Sequence, residues 1–369
     1  MIRKILLAAA SLLCAGAVAL FPMGSQMAEN STEPAAQISV IDALGNNLSL
    51  ENPPERIIQA GKSAFMLINT MYLFEEARER LVGMTKADQG MGFFAEALDP
   101  QIENKAVYGQ NVSIEEMISL NPDLIIIKDF LAESMKKAME PAGIPVFSMN
   151  LENPENFYKE VEMLGRIFNN PERAESIVSW YREKMSTIFE TVRQKSGEER
   201  PRVLLVYYSV KDGITSFSVP PLSWIQSDMI RKCGGIPVWK GMSGAKGWTK
   251  VGIEQIASWD PDSIFLVSYR TPAPEVVMRM KEDQMWKALS AVRNNRLYAF
   301  PADFHSWDQP DPRWVLGYRW TAGILNSGEL SSDSASIEAF AREFYSFAYS
   351  MDDEEFNRTI LPKLQGAGN

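Results

Sequence analysis

The chain has 369 residues, 46% of them hydrophobic and 23% charged, which is the balance of a folded globular protein and excludes a disordered or fibrous one. Its formal net charge is −10, whereas a nucleic-acid-binding protein usually carries a basic face, so we expect no nucleic-acid partner. The single histidine, His305, excludes sites that need several imidazoles, such as those of the HExxH zinc hydrolases.

Residues 1–28 have the three-part layout of a secretory signal. A positively charged start is followed by an apolar run over residues 5–21 and then by small and polar residues. Cleavage near Ala28 would leave Cys233 as the only cysteine, so the mature protein would have no internal disulfide. A retained membrane anchor is the alternative, although the run is slightly shorter than the about 20 residues that span a bilayer. We therefore expect the body of the protein in the periplasm or at the outer face of the cytoplasmic membrane.

A polar leader over residues 29–37 precedes an alternation of short apolar runs and helical patterns. The run from Leu124 to Ile127 is unbroken and rich in isoleucine, as expected of a strand that is buried on both faces of a parallel sheet. This βαβ rhythm predicts an N-terminal α/β lobe over residues 38–152.

Residues 153–198 are the expected linker region, which contains one long helix. Asn170 and Pro171 are a typical helix cap and first-turn residue, and the apolar residues that follow are spaced three or four apart as far as Val192. The βαβ rhythm returns over residues 199–369, the expected C-terminal lobe, which ends in an additional aromatic-rich helical tail. A single long helix is a stiff connector, so we expect little hinge motion between the lobes.

One segment occurs twice in the chain. Residues 112–127 align without gaps on residues 251–266, and a valine, an Ile-Glu pair, a serine, a Pro-Asp pair and an isoleucine match in place. Each copy predicts a short helix, a Pro-Asp turn and a strand. This arrangement is common in α/β proteins, which explains the recurrence of Pro-Asp but explains the recurrence of the glutamates less well. The repeat predicts an α/β fold of two Rossmann-like lobes, each with a central parallel sheet, joined by one long α-helix.

The sequence lacks the common catalytic signatures. It contains no GxSxG elbow, no CxxC pair and no GxGxxG loop after a strand. With one histidine and no paired nucleophile and base, we expect neither enzymatic activity nor an intrinsic cofactor, although carboxylate or tyrosine chemistry stays open.

Together these features resemble a known family, the ABC-transporter substrate-binding proteins of the helical-backbone class, which includes iron-siderophore, haem and cobalamin binders. The resemblance extends over about residues 38–328 and is specific in the combination of its motifs rather than in any one of them. Besides the long helix, the motifs are Arg56-Ile57-Ile58, Asn111 to Glu115, Asn121-Pro122-Asp123, Cys233-Gly234-Gly235-Ile236, Val251 to Glu254, Asp260-Pro261-Asp262 and Ala291 to Tyr298.

The resemblance implies a monomeric, extracytoplasmic solute-binding protein. It would capture an iron(III) complex, such as a siderophore-type chelate, haem or a corrinoid, between two lobes and deliver it to an ABC permease. One alternative ligand is a small oxyanion such as molybdate or tungstate, which would need few aromatic side chains and several hydrogen-bond donors. A further alternative is an exported sensor or a chelate-processing enzyme on the same fold.

The resemblance also assigns one glutamate in each lobe to permease docking. Glu115 and Glu254 are the paired glutamates of the repeat, and the matching residues of the family pair with arginines of the permease dimer. Two carboxylates far apart on a rigid body would fix its orientation through charge-assisted hydrogen bonds. The alternative is a first-turn glutamate that is favoured only by the helix dipole.

The ligand cleft is expected between the lobes, where loops follow the carboxyl ends of the strands. Aromatic side chains there could pack a bulky chelate, and lysine or arginine could neutralise an anionic one. The predicted ligand-binding residues are Lys62, Ser63, Tyr108, Lys128, Trp224, Trp248, Tyr269, Arg270, His305, Trp307 and Arg313, with Gln89–Met91, Gln110 and Tyr208 as further candidates.

Two of these residues have alternative roles. His305 could ligate a metal or haem iron, or it could cap a helix, and no cluster of further metal ligands accompanies it in the sequence. Arg313 follows two prolines and could instead begin a helix with a structural role.

Overall fold

The computed structural model describes residues 37–193, 200–242, 247–326 and 330–367. The expected signal, residues 1–28, lies outside these ranges, as does nearly all of the expected leader. A short antiparallel hairpin opens the described chain, and its two strands are β1 (Ile38–Ile41) and β2 (Asn47–Leu50).

The first lobe is built on a sheet of five parallel strands. These strands are β3 (Ile57–Gln59), β4 (Leu81–Thr85), β5 (Ala106–Tyr108), β6 (Leu124–Lys128) and β7 (Val146–Met149). Their order across the sheet is β5-β4-β3-β6-β7, and every residue of β6 is buried, as its unbroken apolar run predicts. The helices of this lobe are α1 (Ala64–Met71), α2 (Glu75–Arg80), α3 (Phe94–Leu98), α4 (Ile114–Ser119), α5 (Asp129–Met139) and α6 (Pro154–Ile167).

One long helix, α7 (Pro171–Arg193), connects the lobes as predicted. The side chain of Asn170 accepts a hydrogen bond from the backbone N–H of Arg173 at 3.0 Å, which caps the first turn. The helix has 23 residues and is therefore about 35 Å long at 1.5 Å per residue. Its apolar side, which includes Ile177, Tyr181 and Ile188, is buried.

The second lobe is built on a mixed sheet. Its strands are β8 (Arg202–Lys211), β9 (Ile214–Val219), β10 (Ile236–Pro237), β11 (Thr249–Val251), β12 (Ser263–Val267) and β13 (Leu297–Ala299). The main order is β11-β9-β8-β12-β13, and β10 pairs with the first residues of β8. β9 runs antiparallel to both of its neighbours and forms a hairpin with β8. This strand was not among the elements predicted from the sequence. The helices are α8 (Ile225–Lys232), α9 (Ile253–Trp259), α10 (Ala273–Glu282), α11 (Gln284–Lys287), α12 (Ser290–Arg293) and α13 (Trp314–Leu325).

The sequence repeat corresponds to a structural repeat. The first copy forms α4 and β6, the second forms α9 and β12, and the two sheets place β6 and β12 at equivalent positions beside the central strands β3 and β8. The two-lobed α/β fold predicted from the repeat is therefore confirmed.

The Pro-Asp turns of the repeat tie each helix to the start of a central strand. Asp123 accepts a hydrogen bond from the backbone N–H of Arg56 at 3.0 Å, and Asp262 accepts one from that of Arg202 at 2.7 Å. The guanidinium group of each arginine donates to backbone carbonyls at the end of the repeat helix, which is α4 for Arg56 and α9 for Arg202. We call this arrangement the Asp–Arg clasp, and it satisfies helix-end carbonyls that would otherwise lack partners.

The C-terminal tail forms two more helices and packs against the connector. They are α14 (Ser334–Tyr349) and α15 (Asp353–Thr359). Phe347 stacks on Trp180 of α7 with ring centroids 4.7 Å apart, and Phe344 and Tyr345 are fully buried. The packed helix that the aromatic run predicts is therefore present, and it covers the long helix.

One continuous set of buried apolar residues extends through both lobes, the connector and the tail. The lobes therefore pack directly on one another in addition to being joined by α7, which favours the small hinge motion expected from the sequence. Within the described ranges, no helix combines the length and the hydropathy needed to cross a membrane.

A buried carboxyl group supports the chain after β7. Glu160 of α6 accepts hydrogen bonds from the backbone N–H groups of Asn150 at 2.7 Å and Leu151 at 2.9 Å. Leu151 has a φ of 61°, a left-handed conformation that these bonds help to hold. Burial raises the pKa of Glu160 from 4.5 to about 7, although the two backbone hydrogen bonds act in the opposite direction.

We predict that Glu160 makes the protein less stable as the pH rises from about 4.5 to about 7. In the folded state Glu160 keeps its proton up to a pH of about 7, whereas in the unfolded chain it loses the proton near pH 4.5. The stabilisation that is present at low pH is therefore lost as the pH increases. The loss is about 3 kcal/mol, at about 1.4 kcal/mol for each pH unit. Urea unfolding at several pH values should give a flatter profile for Glu160→Gln than for the wild type, and parallel profiles would contradict the prediction.

Candidate functional site

A cleft of about 330 Å³ lies between the two lobes. Its first wall comes from the loops that follow β3, β4 and β5, and its second wall comes from the carboxyl ends of β8 and β12 and from Gln309. Ligand sites of open α/β sheets lie at this edge, outside the carboxyl ends of the strands. Ser63, Gln89, Gln110, Tyr269 and Arg270 are candidates from the sequence that line it.

A smaller cavity of about 70 Å³ adjoins the cleft and shares Gln89, Tyr269 and Arg270 with it. Met91 lines this cavity from the first lobe and His305 from the second. A larger groove of about 760 Å³ beside β1 and α6 receives no residue from the second lobe. The cleft and its side cavity are therefore places where both lobes could contact one ligand.

Two tyrosines of the second wall belong to an aromatic cluster. Tyr207 stacks on Tyr269 with centroids 4.6 Å apart and an interplanar angle of 27°. Trp248 packs against Tyr207 at 5.0 Å, and Trp224 meets Trp248 edge-on at 5.8 Å. The structure thus brings three predicted residues, Trp224, Trp248 and Tyr269, into one cluster with Tyr207 that we call the aromatic wall. Tyr207 and Tyr269 line the cleft, whereas Trp224 and Trp248 are not part of its lining.

Sequence reasoning selected Tyr208 and missed its neighbour. Successive residues of a strand point to opposite faces of the sheet, so only one of Tyr207 and Tyr208 can face the cleft. Tyr208 packs on Phe217 at 5.9 Å and does not line the cleft, whereas Tyr207 does. The alternation shows that one tyrosine of the pair faces the cleft but does not say which.

A buried aspartate orients the aromatic wall from behind. Asp308 accepts hydrogen bonds from the hydroxyl of Tyr269 at 2.8 Å, from Gln226 at 3.2 Å and from Ser306 at 2.5 Å. Burial raises the pKa of Asp308, while these donors lower it. Burial and the carboxylate both raise the pKa of Tyr269 well above its ordinary value, so its hydroxyl stays neutral.

The charged groups around the cleft are mixed in sign. Arg270 is exposed and lines the cleft, and Lys86 lines it while forming an exposed ion pair with Glu96 at 3.6 Å. Asp88 contributes a carboxylate to the same wall. Lys62 is exposed beside Ser63 but is not part of the lining. Among the described residues, the cleft lining therefore combines the Arg270 guanidinium group with charges of both signs, rather than forming a strongly positive surface.

The family comparison agrees with this architecture. A sequence profile described as "Periplasmic binding protein" matches residues 81–304, more than half of the chain. The chain belongs to this family. The resemblance stated from the sequence motifs is confirmed.

Known relatives in the family are distant. A molybdate-binding protein, MolA of Haemophilus influenzae, is 21% identical over 304 residues, which cover 75% of this chain and 83% of that protein. A cobalamin-binding protein of Halobacterium salinarum is 24% identical over 309 residues, covering 82% and 77%. The crystal structure of a periplasmic solute binding protein from Veillonella parvula superposes with a TM-score of 0.68 and 24% identity, covering 87% of this chain and 96% of that one.

Two predicted ligand residues of the first lobe lie away from the cleft. The Tyr108 ring lies over Gly83 in an apolar cluster on the sheet, and burial raises its pKa to about 12. Lys128 is buried, with 1% of its surface exposed, and its ammonium group bonds to Glu152 at 2.8 Å and to the carbonyl of Asn150. Neither side chain lines the cleft, because the first packs beneath the sheet and the second satisfies an internal carboxylate.

Two predicted residues of the second lobe are parts of the interior. Trp307 is completely buried and donates its indole N–H to Asp303 at 2.9 Å. Arg313 is also completely buried between Asp303, at 2.7 Å, and Asp311, at 2.5 Å. It directly precedes α13, which agrees with the structural alternative considered from the sequence.

Arg313 lies where four parts of the protein meet. Its guanidinium group stacks over the ring of Phe94 in the first lobe at 4.1 Å and donates to the hydroxyl of Tyr345 in the tail at 2.7 Å. Asn69 of the first lobe donates to Asp311 at 2.8 Å, and Tyr181 of the connector donates to the carbonyl of Pro312 at 2.6 Å. We call this group of residues the Arg313 network.

His305 lies at the boundary between the interior and the side cavity. Its ring stacks on Phe65 of the first lobe with centroids 4.4 Å apart, and among the described residues neither ring nitrogen makes a well-aligned hydrogen bond. Burial and then the charge of Arg313 hold the pKa of His305 well below its ordinary value, although the backbone of Ala87 slightly favours the charged form. The imidazole is therefore neutral, and both of its nitrogens are buried.

The paired glutamates of the repeat occupy equivalent positions. Glu115 is exposed in the first turn of α4, and Glu254 is exposed in the first turn of α9. Both helices follow the edge strands β5 and β11, so the carboxylates lie toward the edge of each sheet that faces the cleft. In the part of the chain that the structure describes, no ion pair involves either carboxylate, and no group of three or more histidine, cysteine, aspartate or glutamate side chains could hold a metal ion.

We predict that Arg313→Met destabilises the protein by about 3–5 kcal/mol, because it leaves two buried carboxylates without their counter-charge. Urea unfolding measures the loss. The exposed Arg279→Met is the matched control, and its effect should stay within about 0.5 kcal/mol. An Arg313→Met protein of wild-type stability would contradict the structural role.

Proposed function

We propose that the protein captures a metal chelate with an organic ligand, either an iron(III) complex or a corrinoid, between its lobes and delivers it to an ABC permease without covalent chemistry. The aromatic wall is the observation that carries the proposal. Tyr207 and Tyr269 present stacked rings to a cleft that Arg270 also lines, and Trp248 packs against Tyr207. Such a surface suits a bulky, partly apolar ligand with an anionic group.

The opposite wall supports the same kind of ligand. It offers the amide of Gln110 and the hydroxyls of Ser63 and Thr85, which can donate to or accept from the ligand's polar groups. His305 adds a neutral imidazole at the side cavity. The cobalamin-binding relative is named for a ligand of this class.

A small oxyanion is the second candidate, because a relative is named as a molybdate-binding protein. The start of α1 contributes Ala64, Phe65 and Met66 to the cleft wall, and backbone N–H groups at a helix start favour anions. An anion of this size would leave most of a cleft of about 330 Å³ to solvent. The aromatic wall therefore favours the larger chelate.

We also propose export and monomeric delivery. Residues 1–28 would direct secretion and be removed near Ala28, and the mature protein would act as a monomer outside the cytoplasmic membrane. Mass spectrometry of the secreted protein would give the cleavage site. Glu115 and Glu254 would then pair with arginines of the permease dimer.

We predict tight binding of one member of a defined panel: a ferric hydroxamate, a ferric catecholate, haemin, cyanocobalamin and molybdate. Titration calorimetry and tryptophan fluorescence measure the affinity, since Trp248 and Trp224 lie in the aromatic wall. Tyr207→Ala should weaken chelate binding at least tenfold, or about 1.4 kcal/mol, by removing the stacked ring. Arg270→Ala should weaken an anionic chelate, and the exposed Arg279→Ala is its matched control.

Binding of molybdate alone, unaffected by Tyr207→Ala, would favour the oxyanion candidate. If none of the five probes binds the wild type, the chelate proposal is wrong.

We predict that Glu115→Gln combined with Glu254→Gln reduces ligand-stimulated ATPase activity of the reconstituted permease at least tenfold. Ligand affinity should not change, because both side chains are exposed and outside the cleft lining. Glu140→Gln with Glu282→Gln is the control, since these exposed carboxylates lie after α5 and at the end of α10, away from the cleft edge. Full stimulation by the first double variant would refute the docking assignment.

A further inference from the structure

The loop of residues 88–92 extends from the first lobe to the second beside the cleft. The carboxylate of Asp88 accepts hydrogen bonds from the backbone N–H groups of Gly90 at 2.6 Å and Gly92 at 3.0 Å. The two glycines have φ values of 101° and 100°, which other residues rarely adopt, so this loop conformation depends on glycine at both positions. It supplies Asp88 and Gln89 to the cleft and Met91 to the side cavity.

A reciprocal amide pair holds this loop to the second lobe. Gln89 donates to the side-chain oxygen of Gln309 at 2.9 Å, and Gln309 donates to that of Gln89 at 3.0 Å. Both residues line the cleft. The pair is therefore a direct bridge between the two cleft walls.

The last described part of the tail holds the same loop from the other side. We call residues 361–367 the C-terminal segment. Lys363 donates to the carbonyl of Met91 at 2.6 Å, and Gln365 donates to the sulfur of Met91 at 3.3 Å. The Lys363 ammonium group also lies 4.7 Å from the centroid of the Phe304 ring.

The C-terminal segment is itself fixed to the second lobe. The backbone of Gln365 exchanges two hydrogen bonds with Ala302, at 3.1 Å and 2.8 Å, just beyond β13. The Gln365 side chain lines the side cavity together with Met91 and His305. A first-lobe loop is thus gripped by a segment that is anchored to the second lobe.

We propose that Lys363 and Gln365 are positioning residues of the ligand cleft. They hold the 88–92 loop against the second lobe and so set the separation of the cleft walls. The effect on ligand binding rests on the proposed function, whereas the effect on the loop does not. The tail thereby gains a role beyond covering the long helix.

The wider anchoring of the tail does not depend on these two side chains. Arg173 of α7 donates to the carbonyls of Phe347 and Ala348 at 3.0 and 3.1 Å, and Tyr349 donates to the carbonyl of Asn69 at 3.1 Å. Changing Lys363 and Gln365 therefore removes the grip on the loop and leaves α14 in place. Truncation would be less informative, since it would also remove the backbone pairing with Ala302.

The test compares the full-length mature protein with the double variant Lys363→Met/Gln365→Leu. Hydrogen exchange of the Gly90, Met91 and Gly92 amides reports on the loop, and we expect it to become at least tenfold faster. Spin labels at Glu133→Cys and Arg279→Cys, both exposed, report on the lobe separation, which should become broader. Native Cys233 is buried and should not label. Lys281→Met is the control for removing an exposed lysine and should leave exchange unchanged. The conservative single variant Lys363→Arg should exchange as slowly as the wild type.

The binding arm uses a ferric hydroxamate and cyanocobalamin as probes. We expect the double variant to release a bound probe about tenfold faster, with a smaller change in the association rate. Unchanged exchange and unchanged label distances would overturn the proposal, and so would faster exchange without faster probe release. If the wild type binds neither probe, the chelate proposal fails, and exchange and label distances alone then decide whether the segment grips the loop.

Discussion

One buried arginine, paired with two buried aspartates of the second lobe, lies at the point where both lobes, the connector and the tail meet. Arg313 has no exposed surface, and it reaches a phenylalanine of the first lobe, two aspartates of the second and a tyrosine of the tail. Burying charges is unfavourable unless they are paired, so these ion pairs fix the second-lobe side of the junction. The stacking of Phe94 and the hydrogen bond from Asn69 to Asp311 connect the same group to the first lobe.

Much of the fold follows from local patterns in the sequence. The unbroken Leu124–Ile127 run identifies a buried strand, the Asn170-Pro171 cap marks the start of the long helix, and the aligned segments 112–127 and 251–266 give the equivalence of the lobes. Each of these features is short-range, because it depends on residues within one helix or strand. Strand β9 has weak hydrophobic alternation, but the two-residue Asp212-Gly213 turn between it and β8 is a local hairpin signal that could have revealed it.

The residues of the site were only partly predictable from the sequence, because burial and pairing depend on the packed fold. Loops at the carboxyl ends of strands could be named, and Ser63, Tyr269 and Arg270 do line the cleft. Lys128, the last residue of β6, and Arg313, directly before α13, are each buried and paired with carboxylates of their own lobe. Whether a charged side chain at such a position faces solvent or a counter-ion depends on the packing of its lobe, which the sequence pattern does not show.

The Asp–Arg clasps lie at the amino ends of the central strands, whereas the cleft lies at the carboxyl ends. The residues that tie the helices to the central strands are therefore at the opposite end of those strands from the residues that line the cleft. Substitutions in the cleft loops can accumulate over evolutionary time without weakening the clasps. An ancestral scaffold of this kind could exchange one cargo for another through loop changes alone, as the differently named ligands of its distant relatives suggest.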